Sequence, residues 1–112
     1  MKRVFICAPL GGNREDQLKQ AMKYTEYALK SGAAPVVPLF FEISLHGSTR
    51  NAGKIISSAG ISLLWLCDEL WIFGNRITKE MQQAIDFCKN LNTIIRTVSD
   101  SDINKVIGGN CT

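Results

Sequence analysis

Two consecutive glycines, Gly11 and Gly12, follow the first apolar run of the chain and precede Asn13 and Arg14. Glycine lets the backbone approach a ligand closely, and a helix that starts after such a loop presents unpaired N–H groups and a positive dipole end. Arg14 could then clamp a phosphate, whereas the alternative is a tight turn that needs glycine for positive φ, with Arg14 in solvent. Neither a P-loop nor G-x-G-x-x-G is present. We predict a ligand-binding loop formed by Ala8, Pro9, Leu10, Gly11, Gly12, Asn13 and Arg14.

A second turn that contains glycine connects the apolar residues 70–73 to a segment with helical spacing. Thr78 is a candidate helix N-cap, and Glu80 falls in the first helical turn, where the dipole alone favours an acidic residue. The alternative for Glu80 is a carboxylate that faces a cleft as nucleophile or base. We predict that this turn binds ligand through Gly74, Asn75, Arg76, Thr78 and Met81, and that Glu80 is the candidate catalytic residue.

Apolar runs and helical periodicities alternate along the chain. They predict strands at residues 2–7, 34–37, 70–73 and 92–98. They predict helices from Asn13 to Ser31, over 50–66 and over 79–90, a short helix at 102–107, and a loop at 39–49. Alternating strands and helices favour an α/β fold, a flavodoxin-like parallel sheet of order 2-1-3-4 with helices on both faces. Ligands in such sheets bind at the carboxyl ends of the strands where the order reverses, which selects the two loops above.

Composition limits the classes of protein and partner. The 112 residues suit one domain, which we place at residues 1–98, with a polar tail at 99–112 that could form a short helix against a neighbouring subunit. The net charge of +3 comes without a Lys/Arg run, so we expect no nucleic-acid partner, although an anionic small molecule would suit this charge. The apolar runs are too short for a signal peptide or a membrane span. Four scattered cysteines and one histidine favour no metal site, no cofactor and reduced thiols in the cytoplasm.

Several single side chains have a packing and a functional interpretation. We expect Trp65 and Trp71 to pack within their apolar runs, and Cys7 and Cys67 to occupy core positions. We interpret His46 as a surface residue of the 39–49 loop. In the same loop, Phe40 and Phe41 are candidates to stack on a ligand base, because loops near a cleft commonly cover the ligand.

Two stretches of the chain resemble a known family. The opening "KRVFICAPLGG" and the later "LLWLCDELWIFGNRITKEMQQAIDFCKNLNTIIR" are similar to the nucleoside 2-deoxyribosyltransferase-like superfamily. The stretch "GGNRED" also resembles the related deoxynucleoside 5′-monophosphate N-glycosidases. The resemblance covers residues 2–98, and its motifs are short but occur in the family's order.

The resemblance implies cleavage or transfer of the bond between a base and deoxyribose. In that family a helical Glu attacks the anomeric carbon and an upstream Asp assists proton transfer, a division of labour that two carboxyl groups permit. Laid on this sequence, the Glu position falls on Ala84 and the Asp position falls on Gly60, and neither can attack or transfer a proton. Glu80 lies one helical turn before Ala84 on the same face. A turn is about 5.4 Å, and a misplacement of about 1 Å can cost about a hundredfold in rate.

Two functions from different classes follow, with a third kept open. The first is binding of a nucleoside- or nucleotide-derived molecule without turnover, for example sequestration of an ADP-ribose-type or cyclic nucleotide signal by a phage that counters host immunity. The second is a deoxyribosyltransferase or nucleotide N-glycosidase that uses Glu80, in the homodimer or higher oligomer that the resemblance implies. The third is a structural or interaction module with no ligand.

Overall fold

The computed structural model describes residues 1–45 and 52–108. Four strands form one sheet: β1 (Lys2–Cys7), β2 (Ala33–Val36), β3 (Glu69–Ile72) and β4 (Ile94–Thr97). All neighbours are parallel and the order is β2-β1-β3-β4. The predicted α/β class and strand order are therefore confirmed, with β2 and β3 each starting one residue earlier than the sequence predicted. Because β1 is central, the loop after it lies at the point where the strand order reverses.

Within the described ranges, five helices connect and follow the strands. They are α1 (Arg14–Lys30), α2 (Leu39–Leu45), α3 (Ala52–Leu64), α4 (Lys79–Asn90) and α5 (Asp100–Ile103), and a π-helical turn, Asn104–Gly108, continues α5. The prediction of a loop at 39–49 was wrong over α2; the remainder of that range and His46 lie outside the described residues. A helix of seven residues is only about two turns long, and most of its residues are apolar, so the buried pair Leu39 and Ile43 does not stand out as one face and periodicity gives a weak signal there.

Helix caps fix where the helices on either side of the cleft begin. The Asn13 side chain accepts a hydrogen bond from the Asp16 N–H at 2.9 Å, and Thr78 Oγ1 accepts one from the Met81 N–H at 3.2 Å. In return, the Thr78 N–H donates to Met81 Sδ at 3.4 Å. These caps satisfy donors that the first turn leaves unpaired, so α1 and α4 begin as the sequence predicted.

The core has two parts, one on each face of the sheet. Helices α1, α2 and α5 cover one face, where Val4 and Ile6 of β1 meet Tyr24, Ile43 and Ile103. Helices α3 and α4 cover the other, in a cluster formed by Phe5, Cys7, Leu64, Leu70, Ile72, Met81, Ala84, Ile85 and Cys88. The tail up to residue 108 thus packs on its own chain, and its predicted contact with a neighbouring subunit stays a prediction.

One packing expectation needs correction. Trp65 is 63% exposed and only meets Phe87 edge-on, because it lies beyond the last residue of α3, whereas Trp71 is buried as predicted. On α1, the apolar residues Leu18, Met22 and Leu29 are exposed. The residues of this helix that are buried are Ala21, Tyr24 and Ala28. Among the helices in the described residues, none is long and apolar enough to cross a bilayer.

A buried carboxylate lies near the amino ends of the strands. Glu69 is 2% exposed; it accepts hydrogen bonds from Trp71 Nε1 and Arg96 Nε, each at 2.8 Å, and lies 2.7 Å from Lys2 Nζ. Burial alone would raise the pKa of Glu69, but the hydrogen bonds from these three side chains and the charge of Arg96 outweigh it and lower the pKa to about 2. Glu69 therefore links β1, β3 and β4 as a fully partnered ion.

Candidate functional site

The two glycine loops predicted from the sequence meet at the carboxyl edge of the sheet. Gly74 has φ +87°, and a Cβ placed on it would lie 2.8 Å from Pro9 Cδ, so only glycine lets the second loop pack this closely on the first. A Cβ placed on Gly11 would lie 4.0 Å from an Arg76 guanidinium nitrogen. The close approach follows from the pairing of β1 with β3, which brings the ends of both strands side by side.

An inner chamber of about 360 Å³ opens beside this meeting point. Its floor is the end of β1, and its walls come from the loop after β1, from α2 and α3, and from the first turns of α4. The lining residues are Phe5, Ile6, Cys7, Ala8, Pro9, Leu10, Gln17, Pro38, Leu39, Glu42, Ile56, Ser57, Gly60, Ile61, Thr78, Glu80, Met81, Gln83 and Ala84. The chamber is thus mainly apolar, with a small number of polar groups, as is usual for small-molecule sites.

An outer groove of about 600 Å³ continues from the chamber between α2, α3 and α4. Chamber and groove share Glu42, Ile56, Ser57, Glu80 and Gln83, which we call the boundary residues. The groove adds two basic side chains, Lys54 and Lys79, and also Ser58. From inside to outside, the lining therefore changes from apolar to acidic and polar, and then to a mixture that includes lysine.

The two positions onto which the resemblance places catalytic carboxylates face the same chamber. Gly60 lies in α3, and a Cβ placed on it would lie 3.8 Å from Phe5 Cζ. Ala84 lies in α4, is 8% exposed and also lines the chamber. Two segments far apart in the sequence are thus brought to one cavity, and each contributes a residue without a reactive side chain.

Two carboxylates stand at the boundary residues, and the sequence pointed to only one of them. Glu80 lies in the first turn of α4, as predicted, and Glu42 lies on α2. Burial, and then the charge of Glu80, raise the pKa of Glu42 above its ordinary value. Within residues 1–45 and 52–108, neither carboxylate takes part in a hydrogen bond or an ion pair. Glu42 was missed because its segment was predicted to be a loop; the spacing of Leu39 and Ile43 was the available signal.

Comparison with known families gives one result. Residues 2–98 match a family model described as "Domain of unknown function (DUF7768)". The chain belongs to this family. A search among curated proteins found no match. The matched range includes all four strands and helices α1 to α4, so the chamber and the groove lie within the DUF7768 domain.

The predicted site residues of this DUF7768 domain divide into two groups. Six of them line the chamber: Ala8, Pro9, Leu10, Thr78, Glu80 and Met81. Eight do not: Gly11, Gly12, Asn13, Arg14, Phe40, Gly74, Asn75 and Arg76. Phe40 is partly buried against the core cluster on the α1 face of the sheet, while its neighbours Pro38 and Leu39 form part of the chamber wall.

The glycine loop is held by its own chain. Gly12 has φ +83°, and a Cβ placed on it would lie 2.6 Å from an Asp16 carboxylate oxygen. Gln17 Nε2 donates to the Gly12 carbonyl at 3.3 Å, and Gln20 Nε2 donates to the Gly11 carbonyl at 3.0 Å. The tight-turn interpretation therefore accounts for Gly12, and the Asp16 carboxylate already complements the positive end of α1.

The thiol and metal chemistry of the chamber is limited. Cys7 lines the floor and is 4% exposed. Burial, with a smaller contribution from Cys88, raises the pKa of the Cys7 thiol to about 12, so it stays protonated and is a poor nucleophile. In the part of the chain that the structure describes, no group of three or more His, Cys, Asp or Glu side chains could hold a metal ion.

Proposed function

We propose that this protein binds a nucleoside- or nucleotide-derived small molecule in the inner chamber, without turnover. The observation that carries the proposal is the position of Gly60 and Ala84. The resemblance to nucleoside 2-deoxyribosyltransferase-like proteins assigns the catalytic Asp and Glu to these two positions, and both line one cavity. A chamber that lies at this place in the fold but has no carboxylate at either of these two positions suits binding better than bond cleavage.

The size and lining of the cavity also support a ligand of this class. A volume of about 360 Å³ is near the lower end of the range of roughly 300–1,000 Å³ for small-molecule sites. A single nucleoside suits the chamber, with its base against apolar residues such as Phe5, Ile61 and Met81. A larger ligand, such as an ADP-ribose-type or cyclic nucleotide signal, would extend past the boundary residues into the outer groove. There Lys54 and Lys79 offer positive charge to a phosphate.

Filling the chamber tests this proposal directly. Gly60→Leu places a branched side chain between Phe5 and Pro38, the two residues nearest to the added Cβ. We expect at least a tenfold loss of affinity, by isothermal titration calorimetry, for whichever ligand of a nucleoside and nucleotide panel binds the wild type. Ser62→Leu is the matched control, because it adds the same side chain to an exposed position of α3 outside both cavities. Equal affinity in Gly60→Leu and wild type would place the ligand elsewhere.

Absence of turnover has its own test. The purified complex is heated and the released small molecules are identified by mass spectrometry. An intact nucleoside or nucleotide supports binding without cleavage. A free base together with a sugar would contradict the proposal of binding without turnover.

The carboxylate pair at the boundary favours a second candidate, an N-glycosidic bond hydrolase or transferase. Enzymes that cleave glycosidic bonds commonly pair a carboxyl group of raised pKa, as proton donor, with a carboxylate that attacks or stabilises the sugar. Glu42 and Glu80 would take these two roles. The test is chromatography after incubation with deoxynucleosides and deoxynucleoside monophosphates, with and without a free acceptor base to receive the sugar. Base release by the wild type that disappears in both Glu80→Gln and Glu42→Gln supports the enzyme, whereas no release by the wild type removes this candidate.

Oligomeric state and compartment belong to the same proposal. The resemblance implies a homodimer or higher homo-oligomer, which sedimentation equilibrium tests by mass. A cytoplasmic location is supported by the thiols of Cys7, Cys67 and Cys88, which are free in the structure. Thiol titration of the protein from cell extract, with and without reductant, tests whether these cysteines are reduced in the cell.

A further inference from the structure

The charged side chains of the cavity are arranged in order along its length. Among the residues of ranges 1–45 and 52–108 that line the inner chamber, Glu42 and Glu80 are the charged ones, and none is a lysine, arginine or histidine. Lys54 and Lys79 line the outer groove but not the inner chamber. An anionic group would therefore be repelled at the boundary residues and attracted beyond them.

The two carboxylates are available to a ligand. Among the described residues, neither accepts a hydrogen bond or joins an ion pair, although other acidic groups of the fold, such as Glu69 and Asp68, are partnered. An ionised carboxylate only accepts hydrogen bonds, so the natural complement of this pair is a ligand group with two neighbouring donors. Ser57 and Gln83 lie at the same boundary and can add polar contacts.

A ribonucleoside has such a group at the right place along its length. Its base is flat and largely apolar on its faces, which suits the inner chamber. Its ribose follows with two adjacent hydroxyls, and a 5′-phosphate, where present, lies beyond the sugar. Acceptance of ribose hydroxyls by an acidic side chain is a common solution in nucleotide-binding folds.

We propose that Glu42 and Glu80 accept hydrogen bonds from the 2′- and 3′-hydroxyls of a ribose held at the boundary residues, so that the protein selects ribonucleosides over 2′-deoxyribonucleosides. The inference rests on the proposed function, because it assigns the sugar to the site proposed there. A site built to hydrogen-bond a hydroxyl rejects an analogue that lacks it, since its acceptor is then desolvated without a partner. This selects the opposite sugar from the one implied by the family that the sequence resembles.

The test compares each of four ribonucleosides with its 2′-deoxy counterpart, by isothermal titration calorimetry, so that an unknown base preference does not hide the effect. For the pair that binds, we expect the ribonucleoside to bind at least about tenfold more tightly. In Glu42→Gln and Glu80→Gln this preference should fall towards one, because the neutral amide is a weaker acceptor. Glu26→Gln, which removes a carboxylate paired with Lys30 in the last two turns of α1, should keep the full preference.

The outcomes separate the two proposals. Equal affinity of the wild type for both sugars, or a preference that persists in both boundary variants, overturns the assignment of Glu42 and Glu80 but leaves nucleoside binding intact. A wild type that binds none of the eight nucleosides, none of their 5′-phosphates, and no ADP-ribose-type or cyclic nucleotide overturns the proposed function itself. Thermal melting of each variant shows that the loss of preference occurs in folded protein.

Discussion

The carboxylates at the two edges of the sheet have opposite environments. Near the amino ends of the strands, Glu69 is almost fully buried and is met by Lys2, Trp71 and Arg96. At the carboxyl edge, Glu42 and Glu80 face an open cavity, and no partner within the described residues satisfies them. The pKa of Glu69 is lowered by its partners, while the pKa of Glu42 is raised by burial and by a second negative charge.

The difference indicates which edge serves stability and which serves binding. A charge whose partners come from several strands stabilises the folded state, because unfolding separates it from them. The burial of the Glu42 carboxylate, beside the charge of Glu80, opposes folding, and proteins commonly tolerate such a cost where a ligand completes the site. The following predictions test this contrast, beginning with the largest effect.

Removing the charge of Glu69 should have the largest effect. The lowering of its pKa from 4.5 to about 2 corresponds to about 3 kcal/mol of stability. We expect Glu69→Gln to lower the free energy of unfolding at pH 7 by about that amount, measured by urea denaturation. Glu26→Gln, at a surface ion pair with Lys30, should cost less than about 0.5 kcal/mol. Similar small losses in the two variants would contradict a stabilising role for the amino edge.

The same carboxylate predicts how acid affects stability. Because the pKa of Glu69 is lowered in the folded state, its contribution is fully present above the ordinary value of 4.5 and is lost as the pH falls towards about 2. We expect the urea midpoint of the wild type to fall across this window, and the fall to be smaller in Glu69→Gln. Parallel curves for the two proteins would assign the acid sensitivity to other carboxyl groups.

At the carboxyl edge, substitution towards a better helix should stabilise the protein. Gly60 lies within α3, and an added Cβ would make ordinary contacts with Phe5 and Pro38, at 3.8 and 4.0 Å. Gly60→Ala should therefore raise the free energy of unfolding by roughly 0.5–1 kcal/mol, because alanine restricts the unfolded chain and favours the helix. A loss of stability in thermal melting would mean that Gly60 is required by the fold rather than by the cavity.

The smallest effect is expected at Glu42, and its sign is opposite to that of Glu69. Because the pKa of Glu42 is raised in the folded state, its ionised form opposes folding at neutral pH and the opposition disappears below its ordinary value of 4.5. Glu42→Gln should thus stabilise the protein at pH 7 by less than about 1 kcal/mol, since the group is partly exposed to solvent. Urea midpoints at pH 7 and pH 4 measure this; destabilisation at pH 7 would reveal a structural role for the carboxylate.

Much of the fold could be predicted because its signals are local. The spacing of apolar residues and the caps at Asn13 and Thr78 located α1 and α4, and the alternation of strands and helices predicted the sheet order. The short helix α2 was missed because a segment of seven residues, most of them apolar, shows no distinct apolar face that would separate a helix from a loop. That miss also concealed Glu42, the residue that changes the interpretation of the candidate site most.

The sequence by itself determined where the chain turns, which helices are capped, and that Gly60 and Ala84 carry no reactive group. Each of these depends on residues within a few positions of one another. Only the tertiary structure decided that Glu42 and Glu80 share one boundary, that Gly74 must be glycine to pack against Pro9, and that Glu69 is partnered from two other strands. These relations depend on how the crossovers pack distant segments against one sheet, and no local pattern encodes that packing.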